Sequence, residues 1–453
     1  MLLGACRLKF DWKRVAALLP ALLLVTSFGI VSCGGGGPHI AAPPSRLTTR
    51  VFASQSVASP TAFPGLMTVD GEIDTLVRAA EISAGSSPGL MAISPDRTTL
   101  LAFDSVTNSA EVVSTGREAQ TGSISLGGST TSMVALDTGF GYAAVPAASF
   151  NGPGSPPPGA VVAMNLAFTG GVEATISVPN AQTVVSSPDG TQLLVFNNSN
   201  AVTIMSPLLV NTGSPVTVTL PGFNSPVYGV FSADGSTAYI LNCGAQCGGT
   251  QASVQILNLG TTPPTVGATI PVNGATIGFL AGSTLYVAGK GTPTGPLCAS
   301  ISSAATTAAT YCGTLDLVNL TTMQDPYYNN PATEIAIPDG YHDRIDMSVN
   351  GQLFIGSYDC TNIGNVYNPQ GEVRGCLAIF NTTNATVVIP PDNGDVTGLQ
   401  SFTTRDVEYV AEGGNLRVYD TRIDSLLLNT DYIETGTIII NGYIIDVKAV
   451  DFF

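Results

Sequence analysis

Residues 181–205 read AQTVVSSPDGTQLLVFNNSNAVTIM. Three apolar runs, Thr183–Ser186, Leu193–Phe196 and Val202–Met205, are parted first by a tight turn and then by a polar loop. The turn is Ser187-Pro188-Asp189-Gly190. Proline presets φ at the first turn position, aspartate accepts hydrogen bonds from the backbone, and glycine takes the positive-φ corner that returns the chain antiparallel. The stretch therefore predicts strand, turn, strand, loop, strand.

Working outward, much of the chain after residue 48 repeats this unit, with runs A and B flanking the turn and runs C and D following. Pro88–Ser94 and Pro95-Asp96-Arg97 lead into Leu100–Asp104, Ala110–Ser114 and Thr121–Leu126. Pro226–Ser232 and Ala233-Asp234-Gly235 lead into Ala238–Asn242, Val254–Asn258 and Ala268–Val272. Further copies begin at His342–Ser348 and Val396–Phe402, and weaker ones, without the Pro-Asp-Gly turn, cover 129–178 and 274–338. That makes seven four-stranded units between residues 86 and 440. Residues 50–84 supply only runs B, C and D, and residues 443–453 supply a lone A run. The two ends complement each other, as they must where both termini complete one sheet and close a ring that leaves no open edge.

These units resemble the YVTN-type β-propeller repeats of bacterial exported proteins, in which a Ser-Pro-Asp-Gly turn precedes a Leu-x-Val strand. The resemblance covers nearly all of residues 50–453 and implies an all-β propeller of four-stranded blades. Eight blades are expected, with seven as the alternative if one weak copy is no blade. Two β-sandwiches would also suit short strands and turns, but they do not call for complementary half-units at the termini.

The first 32 residues read as an export signal. Arg7, Lys9, Lys13 and Arg14 precede the apolar run Val15–Ser32. Ile30-Val31-Ser32-Cys33 resembles the lipobox of bacterial lipoproteins, which implies cleavage before Cys33 and lipidation of its thiol. Residues 33–48, opening with four glycines, are expected to be a flexible tether, and 49–453 the propeller. Cleavage would leave 12 basic and 31 acidic residues, a surface that repels nucleic acid. The expected place is the bacterial envelope, held through the lipid, with the outer membrane as the default because Gly34 does not supply an Asp after the cysteine. A monomer, periplasmic or surface-exposed, is expected.

Six cysteines follow the tether, as Cys243/Cys247, Cys298/Cys312 and Cys360/Cys376. Six allow 15 pairings. The repeat register places each pair in the B–C connection of one unit, so three local disulfides are expected, and an exported location permits them. No zinc-ribbon spacing occurs, and neither a metal nor a cofactor is expected. A phosphate-binding Gly-x4-Gly-Lys loop is missing from the sequence. The lone tryptophan, Trp12, lies in the signal, so the tryptophan docking motifs of quinone-dependent dehydrogenase propellers are missing too.

In propellers the B–C and D–A connections share one face. The stapled connections of blades five, six and seven, counting the split blade first, should therefore crowd one rim beside Tyr341-His342-Asp343-Arg344. His342, Asp343 and Arg344 are the catalytic candidates, with His342 as general base. The bland alternative is an Arg344–Asp salt link beside a half-buried histidine. Arg344, Lys290, Asp359, Asn242 and Glu412 are the ligand-binding candidates. Two functions are open: a binder of a protein or glycan through the stapled loops, or a lactonase-like hydrolase or isomerase in the channel. A smooth channel plugged by apolar side chains beneath a projecting loop crest favours the first; a metal ion in the channel, or His342 buried beside several carboxylates, favours the second.

Overall fold

The computed structural model describes residues 45–56, 64–149, 155–207, 217–291, 313–360, 363–364, 373–374, 376–390, 394–422, 437–438, 440 and 442–451. The strands form eight four-stranded antiparallel sheets, the blades of a β-propeller. Blade one takes Arg50–Ser56, Gly65–Asp70 and Thr75–Ile82 from one end of the chain and its inner strand, Tyr443–Val450, from the other. Arg50 pairs with Val450 and Ser54 with Asp446 along this seam. Blade two is Pro88–Ile93, Thr99–Asp104, Ser109–Ser114 and Ala119–Ser125. The inner strands of blades three to eight are Ser132–Ala135, Thr183–Ser186, Pro226–Phe231, Ile277–Ala281, Tyr341–Met347 and Val396–Ser401. Both weak copies are complete blades, so the count is eight.

Strand periodicity explains the packing. Alternate residues of one strand face opposite sides of its sheet. Leu101 and Phe103 pack with Met133 and Val145 of blade three, whereas Leu100 and Ala102 pack with Phe52 and Leu66 of blade one. Each neighbouring pair of blades encloses a cluster of this kind. Second strands such as Phe140–Val145 and Val407–Glu412 are consequently buried along their whole length, while outer strands such as Thr217–Pro221 are mostly exposed. A sandwich strand would bury one face only.

The turn chemistry repeats with the blades. Asp189 Oδ1 accepts hydrogen bonds from Ser187 Oγ at 2.6 Å, Thr191 N at 3.1 Å and Thr191 Oγ1 at 2.9 Å. Asp96 and Asp234 are held in the same way by Ser94 and Thr98 and by Ser232 and Ser236. Gly190 and Gly235 take the corner at φ 67° and 68°; in blade two Arg97 takes it at 56°.

Inner strands of adjacent blades splay around the axis, and side chains bridge them. Ser132 Oγ donates to Val184 O at 3.1 Å and accepts from Val184 N at 3.2 Å. Asp346 accepts from Ser401 N at 2.8 Å, and Asp446 from Met91 N at 2.8 Å. The seam has its own pin. Buried Asp451 accepts from Arg97 of blade two, which also donates to Ala449 O at 3.0 Å, and from Thr403 Oγ1 of blade eight at 2.9 Å.

Disulfides Cys243–Cys247 and Cys360–Cys376 are formed, each inside the B–C connection of one blade. Cys298 and Cys312, Cys33, the signal and most of the tether lie outside the described residues. The second stapled connection also carries a two-residue ladder, Ile363–Gly364 on Val373–Arg374, which the repeat pattern does not announce.

Candidate functional site at the channel mouth

The inner strands of blades two to seven line a central cavity of about 1520 Å³. Pro95, Pro188 and Ala233 of the A–B turns line one end, and Asn198, Cys247 and Tyr358 of the B–C side line the other. Val134, Val185, Val230 and Phe279, all half-buried, form much of the wall between. The polar mouth is built from Tyr228, Tyr341, Asp343, Arg344 and Tyr358.

Blade seven shapes this mouth through a bulge. His342 pairs with Ser357, but Arg344 pairs with the adjacent Gly356, so two residues of the inner strand oppose one of its partner. A regular strand would send Asp343 and Arg344 to opposite faces; here both line the cavity. Arg344 Nη1 meets Asp343 Oδ2 at 2.8 Å and donates to the Asp343 carbonyl at 2.9 Å. Its Nε donates to Thr397 O of blade eight at 2.7 Å. Tyr341 and Tyr358 lean together with ring centroids 5.3 Å apart. Burial raises the Asp343 carboxyl above the usual range against the pull of Arg344. Burial likewise raises the Tyr228, Tyr341 and Tyr358 hydroxyls, which therefore stay protonated donors.

The mouth is braced across three blades. In the stapled turn Gly244–Cys247, Gln246 Oε1 accepts from Lys290 N of blade six at 2.9 Å, and Gln246 Nε2 donates to Gly340 O of blade seven at 3.3 Å.

His342 does not join this cavity. It is 1% exposed, its Nε2 lies 2.8 Å from Pro338 O, and its Nδ1 is buried without a partner. A Cβ added to Gly313 of blade six would meet its ring, which places the imidazole between blades six and seven. Burial lowers its pKa to about 4. Of the corresponding positions, Pro88, Ala181, Pro226, Ala275 and Val396 are buried while Thr131 and Tyr443 are exposed, so the repeat gives a majority signal that the site is interior.

Asn242 and Glu412 are also buried away from the channel. Asn242 Oδ1 accepts from Asn224 N, and its Nδ2 donates to Ser253 and Gln255, tying down the connection into its own blade. Asp104, at the same strand end in blade two, accepts from Ser86 N and Ser87 N for the same purpose. Glu412 accepts from Tyr419 Oη at 3.1 Å. Lys290 is half-buried on the rim, and Asp359 is exposed with its N–H on Asp395 Oδ1 at 2.9 Å. Neither lines the cavity. Of the residues singled out from sequence, Asp343 and Arg344 come together in the cavity; the three tyrosines around them were missed. Among the described residues no three His, Cys, Asp or Glu side chains gather in a way that could hold a metal ion.

No family model matches the chain, and no curated protein matches it. Solved structures do resemble it. The dihydro-heme d1 dehydrogenase NirN, in complex with DHE, superposes with a TM-score of 0.55 at 12% identity, covering 92% of this chain and 77% of that one. The Pseudomonas aeruginosa periplasmic gluconolactonase PpgL gives a TM-score of 0.46 at 16% identity over 89% and 99% of the two chains. The Kuenenia stuttgartiensis hydrazine synthase gives 0.45 at 13% identity over 81% and 86%. At such identities the likeness is one of fold, and function lives in the site.

Proposed function

We propose that this is an exported propeller, anchored to the bacterial envelope through Cys33, that binds a protein or glycan partner at the channel mouth over blades five to seven. One observation carries the reading. The cavity walls mix Val, Leu and Phe with Ser, Thr and Gln, and among the described lining residues there is a single charged pair, Asp343 with Arg344, with no second carboxylate and no lysine or histidine beside it. Acid–base turnover needs a group to take a proton and a group to return it. A lone carboxylate bonded to its own arginine suits recognition better. Arg344 presents a fixed, planar fork to a carboxylate or similar anion.

Retention of labelled envelope glycans and of envelope proteins on immobilised propeller tests this. Arg344→Gln should abolish retention, while Asp189→Asn on the opposite face leaves it unchanged. A loss of about 2–5 kcal/mol is expected for a buried charge contact. Equal losses from both faces would reject the site. Hydrolysis of a lactone panel that survives in wild type and vanishes in Asp343→Asn would replace binding with catalysis.

A further inference from the structure

We infer that the channel takes a small amphipathic carboxylic acid, its carboxylate at the mouth and its apolar chain or ring along the bore. This rests on the reading of Arg344 as a binding group and goes beyond it, to a small molecule inside the bore in addition to the protein or glycan partner outside it. Four donors at the mouth line the cavity without a hydrogen-bond partner among the described residues: Arg344 Nη2 and the hydroxyls of Tyr228, Tyr341 and Tyr358. They line one cavity with a guanidinium whose charge Asp343 already offsets in part. Arg344 and Asp343 already offset each other, so a monoanion brings the least uncompensated charge. A dianion would crowd its second charge against Asp343.

Below the mouth the character changes. The inner strands of blades two to six, from Pro88–Ile93 through Ile277–Ala281, contain no Asp, Glu, Lys or Arg. Inner-strand charges are confined to blade seven and the closing strand. Val134, Val185, Val230 and Phe279 each turn a half-buried apolar face to the bore. A saccharide reaching this depth would set its hydroxyls against hydrocarbon, which is costly. An alkyl or aryl body would gain by leaving water. Pockets for small ligands combine such walls with a few placed polar groups.

Calorimetric titration of the full-length mature protein with dodecanoate, below its aggregation concentration, tests the inference. One saturable site is expected, with dodecanol bound at least tenfold more weakly. Arg344→Gln should erase that preference, and Tyr341→Phe should reduce it several-fold. Val230→Asp, with an unchanged melting temperature, should weaken dodecanoate at least tenfold. Absence of saturable dodecanoate binding, equal binding of acid and alcohol, or an unchanged preference in Arg344→Gln would overturn it. So would a peptide with an apolar C-terminal residue that binds tenfold tighter than dodecanoate, since the occupant would then be a protein chain end. Failure with dodecanoate while envelope partners still bind in an Arg344-dependent way overturns this inference alone; failure of both also removes the reading beneath it.

Discussion

Arg97 stands at a turn corner with φ of 56°, where the matching residues of blades four and five are glycines. A side chain in the left-handed region costs about 1–2 kcal/mol. The return is the contact with buried Asp451, whose carboxylate is shared with Thr403. Arg97→Ala should keep the backbone cost and lose the contact, destabilising the fold by about 2–4 kcal/mol in urea denaturation. Arg97→Gly should be milder by about 1 kcal/mol because the corner is then relaxed. A double-mutant cycle between Arg97 and Asp451 that shows no coupling would reject the pin. His342 yields a pH prediction. Its folded pKa is about 4, against an ordinary value of 6.5. The unfolded chain therefore binds the proton more readily, so the stabilisation is complete above pH 6.5 and is lost as pH falls towards 4. The total is roughly 3 kcal/mol. Burial raises the Glu408 and Asp316 carboxyls, and the opposite sign follows for them, since stability falls as pH rises through their range. The difference between wild type and His342→Gln, measured from pH 4 to 7, isolates the histidine; parallel curves would contradict its buried, neutral state.

At the scale of strands and loops, closing strand Tyr443–Val450 is the element on which the ring depends. It contributes Ile444, Val447 and Ala449 to the cluster shared with blade eight. Its neighbour Val450 packs with the cluster shared with blade two. Removing residues 443–453 should expose both clusters and the edge of Arg50–Ser56, ending soluble, cooperative unfolding by heat. A truncated chain that melts at the wild-type temperature would contradict this. The stapled connections should behave differently, because they sit outside the blades. Opening Cys360–Cys376 by serine substitution should cost about 3 kcal/mol of loop-closure stabilisation and raise proteolysis between residues 361 and 375, leaving the blades cooperative. Mass mapping of the unreduced protein should return 243–247 and 360–376, and also 298–312. A crosslink between blades would refute the local scheme.

Taken whole, the propeller was legible where the signal repeats and obscure where it does not. Period-two apolar runs and Ser-Pro-Asp-Gly corners recur often enough to place eight blades, because every blade buries both faces and several turn the same corner. The channel mouth depends on a bulge that recurs at the start of the inner strands of blades two, five and eight but carries an Asp-Arg pair only in blade seven, and on tyrosines from three strands that leave no periodic trace. Polar residues at strand ends mislead for a related reason. Asn242 and Asp104 look like ligands to a substrate, yet their partners are backbone N–H groups that only the fold brings near. The seam between the chain ends has a further consequence, in time rather than in space. Ser54 and Asp446, 392 positions apart, bond to each other. A ribosome must therefore release the 392 residues that follow Ser54 before the first sheet can be finished. Blades two to eight can stack as they emerge, but the earliest strands wait beside an unfilled place until the last ones arrive. Such distant pairing is slow and leaves sticky edges open meanwhile. A nascent chain of this design leaves its first sheet incomplete until residues 443–450 are made.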